Sequence, residues 1–176
     1  MMEISLNPSS NAKFHKEMLN YQKNLPRFPD GRIDYSNSPK APVVSCFVEF
    51  DGKILLLKRS INVRFYPGKW GVITGFIDRS DSNIIEIAID ELKEELGVSE
   101  KDINELYVGK AYELNDKSIE NKTWIIYPVL VRMKRKPPIS LDWENDEFAW
   151  IEPSDLGMYK TLPGLKKSFS KIEKHI

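Results

Sequence analysis

Two apolar runs, VVSCFVEF and KILLLKR, flank Asp51-Gly52. An Asp-Gly pair between β-branched and aliphatic stretches is a strong signal for a tight two-residue hairpin, because both turn residues need positive φ. This hairpin commits the chain to a sheet from Val43 onward. Further strands are expected at Trp70–Thr74 after the Pro67-Gly68 turn, and at Leu106–Glu113, Thr123–Arg132 and Phe148–Ile151. One strong helix falls in the middle of this series, and one or two short helices are expected after Pro153. That order predicts an α/β protein, a sandwich with a mixed β-sheet between helical layers.

The first forty residues differ. Asn11–Asn24 reads as a short helix with Phe14, Met18 and Tyr21 on one face, followed by LPRFPDGRIDYSNSPKAP, a turn-laden arm. The expected division is an N-terminal arm over 1–42 and the main domain over 43–176.

Charge narrows the partners. Among 176 residues, 26 basic side chains balance 26 acidic ones, so nothing suggests bulk attraction to nucleic acid or to an anionic membrane. Cys46 stands alone, which excludes an internal disulfide and a cysteine-rich zinc site. The start MMEISLNPSSNAKF lacks a signal-peptide pattern, and Trp124–Val131 is too short to span a bilayer. A soluble, cytoplasmic protein is expected.

The middle helix carries the chemistry. Asn83 is a suitable N-cap with Glu86 at the capping-box position, and Gly97 supplies the left-handed stop. Ile85, Ile89, Leu92 and Leu96, with Ala88, are the expected buried face. Glu91, Glu94 and Glu95 then share a neighbouring face. Like charges one turn apart destabilise a helix, and acids near a helix C-terminus oppose its dipole. Only Lys93 relieves them locally. A solvated acidic face and a Mg²⁺ site, which takes one or two carboxylates plus substrate phosphates, both fit this spacing.

The stretch resembles the Nudix box, G-x5-E-x7-R-E-U-x-E-E-x-G-U with U aliphatic. Glu91-Leu92-Lys93-Glu94-Glu95-Leu96-Gly97-Val98 matches its second half, Gly75 takes the leading glycine and Asp81 the first acid. Upstream, ILLLKRS, PGKW and TGFID are similar to the strand and loop before the box. Two departures stand out: Asp90 replaces the motif arginine, and eight residues separate Asp81 from Asp90.

The resemblance implies a Nudix-type α/β/α sandwich and a hydrolase that cleaves a nucleoside diphosphate derivative by water attack at phosphorus, with Mg²⁺ or Mn²⁺. It implies Glu91 and Glu95 as metal ligands, with Glu94 and the Gly75 carbonyl completing the set. Lys58, Arg59, Arg64 and Arg79 are candidate phosphate partners, and each equally fits an ordinary surface cation. Glu147 is the preferred general base among Glu144, Asp146, Glu147, Glu113 and Glu120, which makes Glu91, Glu94 and Glu147 the expected catalytic set. Phe47, Phe65, Tyr66, Trp70 and Tyr127 are candidates to stack on a base, against the plainer expectation of core packing. A homodimer fits the resemblance. The alternative is a weak or inactive nucleotide-binding sensor, for which Asp90 speaks. Isomerase chemistry on the same fold lacks its cysteine and histidines, since His15 and His175 lie near the termini.

Overall fold

The computed structural model describes residues 2–6, 8–79, 83–119 and 122–176, with backbone only over 4–14. Its centre is a long parallel pair, β2 (Lys40–Phe50) beside β8 (Lys122–Met133), in register from Lys40↔Thr123 to Glu49↔Arg132. Both strands are buried along most of their length, as continuous apolar runs require.

The other edges of this pair are shared. Beyond β2, the Asp51-Gly52 hairpin brings back β3 (Lys53–Arg59), while β5 (Ile73–Phe76) pairs with the N-terminal half of β2. Asp51 and Gly52 both have positive φ, 53° and 76°, as the hairpin chemistry demands. Beyond β8, β6 (Ile103–Val108) pairs with its end and β7 (Tyr112–Asp116) with its start. Short β4 (Trp70–Gly71) and β9 (Asn145–Ile151) both join β3, and β1 (Glu3–Leu6) adds a parallel edge to β6.

Two expected strands are each divided. Trp70–Thr74 breaks at Val72 because β4 pairs with β3 whereas β5 pairs with β2. Leu106–Glu113 breaks over 109–111, opposite Pro128, where the Gly109 amide donates to the Pro128 carbonyl at 2.8 Å. Strand β1 had no signal in sequence.

Helices cover both faces. On one, α2 (Ile84–Leu96) and Met18 of α1 (Pro8–Gln22) pack over Val44, Cys46, Leu55 and Leu57. On the other, α3 (Leu165–Phe169) and Ile172 cover Phe47, Ile54, Leu56 and Leu130. The buried face of α2 is Ile87, Ala88, Leu92 and Leu96; Ile85 and Ile89 are only partly buried. Ile87 displaces them because α2 is rolled against β5, so the apolar stripe is centred one residue away from the expected line.

The arm after α1 is tied to the segment that follows β5. Buried Gln22 donates through Nε2 to the Tyr35 hydroxyl at 2.7 Å and to the Ile77 carbonyl at 2.8 Å. Tyr35 donates to the same carbonyl, and the Ile33 amide donates to the Asp78 carbonyl, both at 2.8 Å.

Helix α2 starts and stops on local chemistry. Asn83 Oδ1 accepts from the Ile85 and Glu86 amides at 3.0 Å, Glu86 reciprocates to the Asn83 amide, and Gly97 closes the end in a left-handed conformation. Replacing Asn83 with alanine is expected to cost about 1 kcal/mol of stability, and glycine only a few tenths, because glycine suits the cap backbone. Chemical denaturation of the two variants checks this; equal losses would refute the capping assignment.

Candidate active site

Gly75 and Glu91 define the site. On β5, Gly75 stands opposite Val44, and a Cβ built on it would lie 2.1 Å from Glu91 Oε1. The Glu91 carboxylate therefore occupies the space a side chain at 75 would take. One turn on, Glu95 is held by Asn145, whose amide nitrogen donates to Glu95 Oε2 at 3.2 Å. Asn145 is itself buried at the start of β9.

Both carboxyls are pushed far above the ordinary glutamate range. Burial is the largest cause for each. Glu91 rises to about 7, with Glu94, Asp78 and Glu144 adding repulsion. Glu95 rises to about 8, with Glu91, Asp142 and Glu144 repelling and Asn145 opposing. Acids from α2, the 78–79 turn and the 142–144 loop thus converge on one poorly hydrated spot, whose charge is relieved by a proton or a cation.

Among the described residues, no three Asp, Glu, His or Cys side chains converge closely enough to hold a metal by themselves. Two carboxylates against a glycine backbone fit the smaller protein share of a Mg²⁺ shell, which substrate phosphates and water complete. Glu94 is exposed at the rim.

A cavity of about 340 Å³ opens beside this wall. Glu91, Glu94, Glu144, Asp78, Arg59 and Arg32 supply its charged lining. Arg59 is fixed there, since its Nε donates to the Phe65 carbonyl at 2.9 Å and its Nη2 lies 3.9 Å from Glu144. Arg32 comes from the N-terminal arm; its Nε pairs with Asp30 at 2.8 Å and its Nη1 lies 3.7 Å from Asp78. Across the cavity, Phe65 meets Trp124 edge-on at 6.0 Å, Phe76 lies 6.1 Å from Trp124, and Tyr35 stacks on Phe76 at 5.9 Å.

A NUDIX domain model matches residues 25–171. The chain belongs to the Nudix family. A nucleoside triphosphatase, NudI, from Escherichia fergusonii is 25% identical over 136 residues, covering 73% of this chain and 93% of that protein. A Nudix hydrolase from Nitrosomonas europaea superposes with a TM-score of 0.63 at 18% identity, over 77% of this chain and 90% of its own. A bifunctional NMN adenylyltransferase/ADP ribose pyrophosphatase from Francisella tularensis, complexed with AMP and a Mn ion, has a TM-score of 0.62 at 16% identity, over 93% of this chain and 46% of its own. The protein is a Nudix pyrophosphohydrolase, of a family that acts on nucleoside diphosphate derivatives.

Within the Nudix box, the structure brings together Gly75, Glu91 and Glu95 and leaves Glu94 at the cavity rim. Asp81 and the candidate base Glu120 lie outside the described residues. Asp90, in the motif arginine's place, pairs with Arg79 at 2.7 Å, so Arg79 is engaged at the helix surface instead of lining the cavity. Arg64 is exposed, its guanidinium 5.0 Å from the Phe65 ring centroid.

Lys58 and Glu147 are not brought to the Nudix site. They pair with each other at 2.6 Å, on the strand face shared by Ile54 and Leu56, and neither lines the cavity. A bulge explains the displacement of the expected base. Pairing steps from Lys58↔Glu147 to Arg59↔Asn145, so β9 advances two residues while β3 advances one. Glu144 is the acid of that segment that lines the cavity. Of the stacking candidates, Phe65 and Tyr66 line the cavity, whereas Phe47 and Tyr127 are wholly buried core and Trp70 packs on Tyr159. Arg32, Trp124 and Asn145 carried no motif signal, and Phe76 and Asp78 lay within TGFID without a role of their own.

Replacing Gly75 with alanine forces the Glu91 carboxylate aside, which the flexible side chain allows without unfolding the domain. Mn²⁺ affinity is expected to fall about tenfold or more, as for loss of a group that orients a ligand. Calorimetric titration checks this, and unchanged affinity would remove Gly75 from the metal cradle.

A pH dependence follows from the two raised carboxyls. Between the ordinary glutamate value of 4.5 and about 7 to 8, the native chain holds protons that the unfolded chain has released. Stability therefore falls as pH rises through this window and levels off above it. The unfolding temperature in chelator is expected to decline from about pH 5 to about pH 8, and to decline less in Glu91→Gln and Glu95→Gln. A flat wild-type profile would contradict the burial of these charges.

Proposed function

We propose that this Nudix hydrolase cleaves the phosphoanhydride of a nucleoside triphosphate, with Mg²⁺ or Mn²⁺ bound at Glu91, Glu95 and Gly75. One observation carries the reading: a single cavity joins the carboxylate wall, two arginines and an aromatic recess. The kinship with NudI, named a nucleoside triphosphatase and matched over 93% of its length, supports the same substrate class.

A divalent cation held by Glu91, Glu95 and the Gly75 backbone would neutralise phosphate oxygens and lower the pKa of a nearby water. The remaining work falls to positioning. Arg59, locked by the Phe65 carbonyl, presents its remaining donors to phosphate, and Arg32 offers a second cation from the arm. Phe65, Phe76 and Trp124 provide ring faces and edges for the base. Glu144 is the proton acceptor we assign: it lines the cavity, its charge reaches both Glu91 and Glu95, and among the described residues its carboxylate holds only a 3.9 Å contact with Arg59. The water oxygen bonds to phosphorus, the bridging P–O bond breaks with its electron pair leaving on the departing phosphate or pyrophosphate oxygen, and the water's proton passes to the Glu144 carboxylate.

Glu144→Gln is expected to lower kcat about 100-fold or more, the usual loss for a positioned base. Glu147→Gln, which removes only the exposed pair with Lys58, is expected to stay within about twofold. Release of phosphate or pyrophosphate from a panel of nucleoside triphosphates measures both. Equal effects would reject the assignment of Glu144, and no release from any member by the wild type would reject the substrate class.

A further inference from the structure

Between Ala41 and Val48, the buried central strand β2 carries one polar side chain, Ser45. Directly across the antiparallel ladder, on β5, stands a second hydroxyl residue, Thr74. Residues paired in this way point to the same face of the sheet, with Cβ atoms about 5 Å apart, so the two hydroxyls are neighbours. Both residues line the cavity. Among the described residues neither hydroxyl has a hydrogen-bond partner, and neither oxygen is sealed from the cavity. Hydroxyls set in an apolar strand are normally satisfied, and the sheet gains nothing in packing from this pair.

The surroundings say what could satisfy them. One step along the same face lie Val43 and Phe76, themselves paired, with Ile126 beside Val43. The segment before and within α3 closes over this face: Leu162, Pro163 and Leu165 also line the cavity. That cover is fastened, since the Leu162 amide donates to the Trp70 carbonyl at 2.8 Å and the Tyr112 hydroxyl to the Gly164 carbonyl at 2.9 Å. Gly75, next to Thr74, turns the opposite way, toward Glu91. The hydroxyl pair and the carboxylate site therefore meet β5 from opposite faces, one residue apart, within one cavity.

From this placement we infer that Ser45 and Thr74 determine nucleoside specificity, their hydroxyls hydrogen-bonding an uncharged polar group of the nucleoside, a base edge or a sugar hydroxyl. The inference rests on the proposed nucleoside triphosphate reading of the cavity. Apolar neighbours make this floor a poor place for a phosphate, which finds its cations at Arg59 and Arg32. A hydroxyl both donates and accepts, which suits an uncharged partner, and the Phe76 ring beside the pair offers a surface for a base. A site that hydrogen-bonds a polar group of its substrate discriminates against an analogue lacking that group, because its own groups are then left unpaired.

The test compares the full chain as wild type, Ser45→Ala and Thr74→Val. Without ligand, both variants are expected to unfold at the wild-type temperature or higher; a clearly lower temperature in both assigns the hydroxyls to the fold and overturns the inference. Mg²⁺-supported hydrolysis is then measured for the common ribonucleoside triphosphates and for the 2′- and 3′-deoxy forms of the best one. For that best substrate KM is expected to rise about fivefold or more in each variant, with kcat within about twofold, the loss of one uncharged hydrogen bond. The spread of kcat/KM across the panel is expected to narrow, between bases where the partner is a base edge and between ribose and deoxyribose forms where it is a sugar hydroxyl. A KM that is unchanged, or raised equally for every member, overturns the inference. Calorimetry with inorganic tripolyphosphate is expected to give the same result for all three proteins, and weaker binding by the variants would place the hydroxyls on the phosphates and overturn it too. Calorimetry with nucleoside monophosphates separates the inference from the hydrolase reading, because it needs no turnover. If the wild type cleaves no triphosphate yet binds a monophosphate, and both variants bind it about fivefold more weakly, the hydrolase reading falls and the hydroxyl pair stands. In that case equal binding by all three proteins, or none by the wild type, overturns the role of the pair.

Discussion

The carboxylate of Glu91 lies where a side chain on Gly75 would be, and the rest of the site is arranged around that fact. A strand glycine usually weakens a sheet, having no side chain to pack. Here the missing Cβ admits an acid from the neighbouring helix to the sheet's backbone, and Glu95 follows one turn behind under Asn145. Desolvation then works against both charges, and each worsens the other. Such a pair is tolerable with a proton shared into it at low pH or with a cation beside it at neutral pH. Burial and chemistry are therefore one constraint: the features that make the carboxylates costly are those that suit them to a cation.

Holding Gly75 in place against that cost is the task of residues remote in sequence. The chain leaving β5 is clasped at the Ile77 carbonyl by Gln22 and Tyr35, and at the Asp78 carbonyl by the Ile33 amide. Both Gln22 and Tyr35 are buried, so these bonds form in low dielectric, where losing a partner is expensive. The same arm then delivers Arg32 to the cavity. The segment before β2 is thus joined to the catalytic wall by hydrogen bonds and by charge, in keeping with a family match that already begins at residue 25.

How much of this was legible depended on range. The Asp51-Gly52 hairpin and the caps of α2 are settled by atoms within a few residues, and both stand as the local chemistry dictates. Glu91, Glu95 and Gly75 were legible because the helical period and the box spacing bind them together. Glu144 was hidden behind Glu147, since one bulge between Lys58 and Arg59 decides which acid of a polar loop reaches the cavity. A bulge costs a single extra residue and leaves no compositional trace. Arg32, Asp78, Trp124 and Tyr66 meet only once β2, β5, β8 and the two loops are assembled. Ile87 entered the core ahead of Ile85 and Ile89 for a related reason: four isoleucines along one helix leave its roll to the strand beneath.

The same distinction of range explains how the chain tolerates Asp90 where the box has arginine. Taken alone, Asp90 would add a fourth negative charge next to Glu91 on a helix already short of cations. In the fold its carboxylate meets the Arg79 guanidinium at 2.7 Å, and Arg79 also lowers the repulsion felt by Glu91. Both partners are more than two-fifths exposed, so the pair adds little to stability by itself. Its effect lies in the field at Glu91: the Arg79 charge, carried by the turn before the helix and moored to the helix surface by Asp90, partly offsets the acids that repel that carboxylate. Retention of Glu91, Glu94 and Glu95 on the same helix agrees with a site that still works on charge.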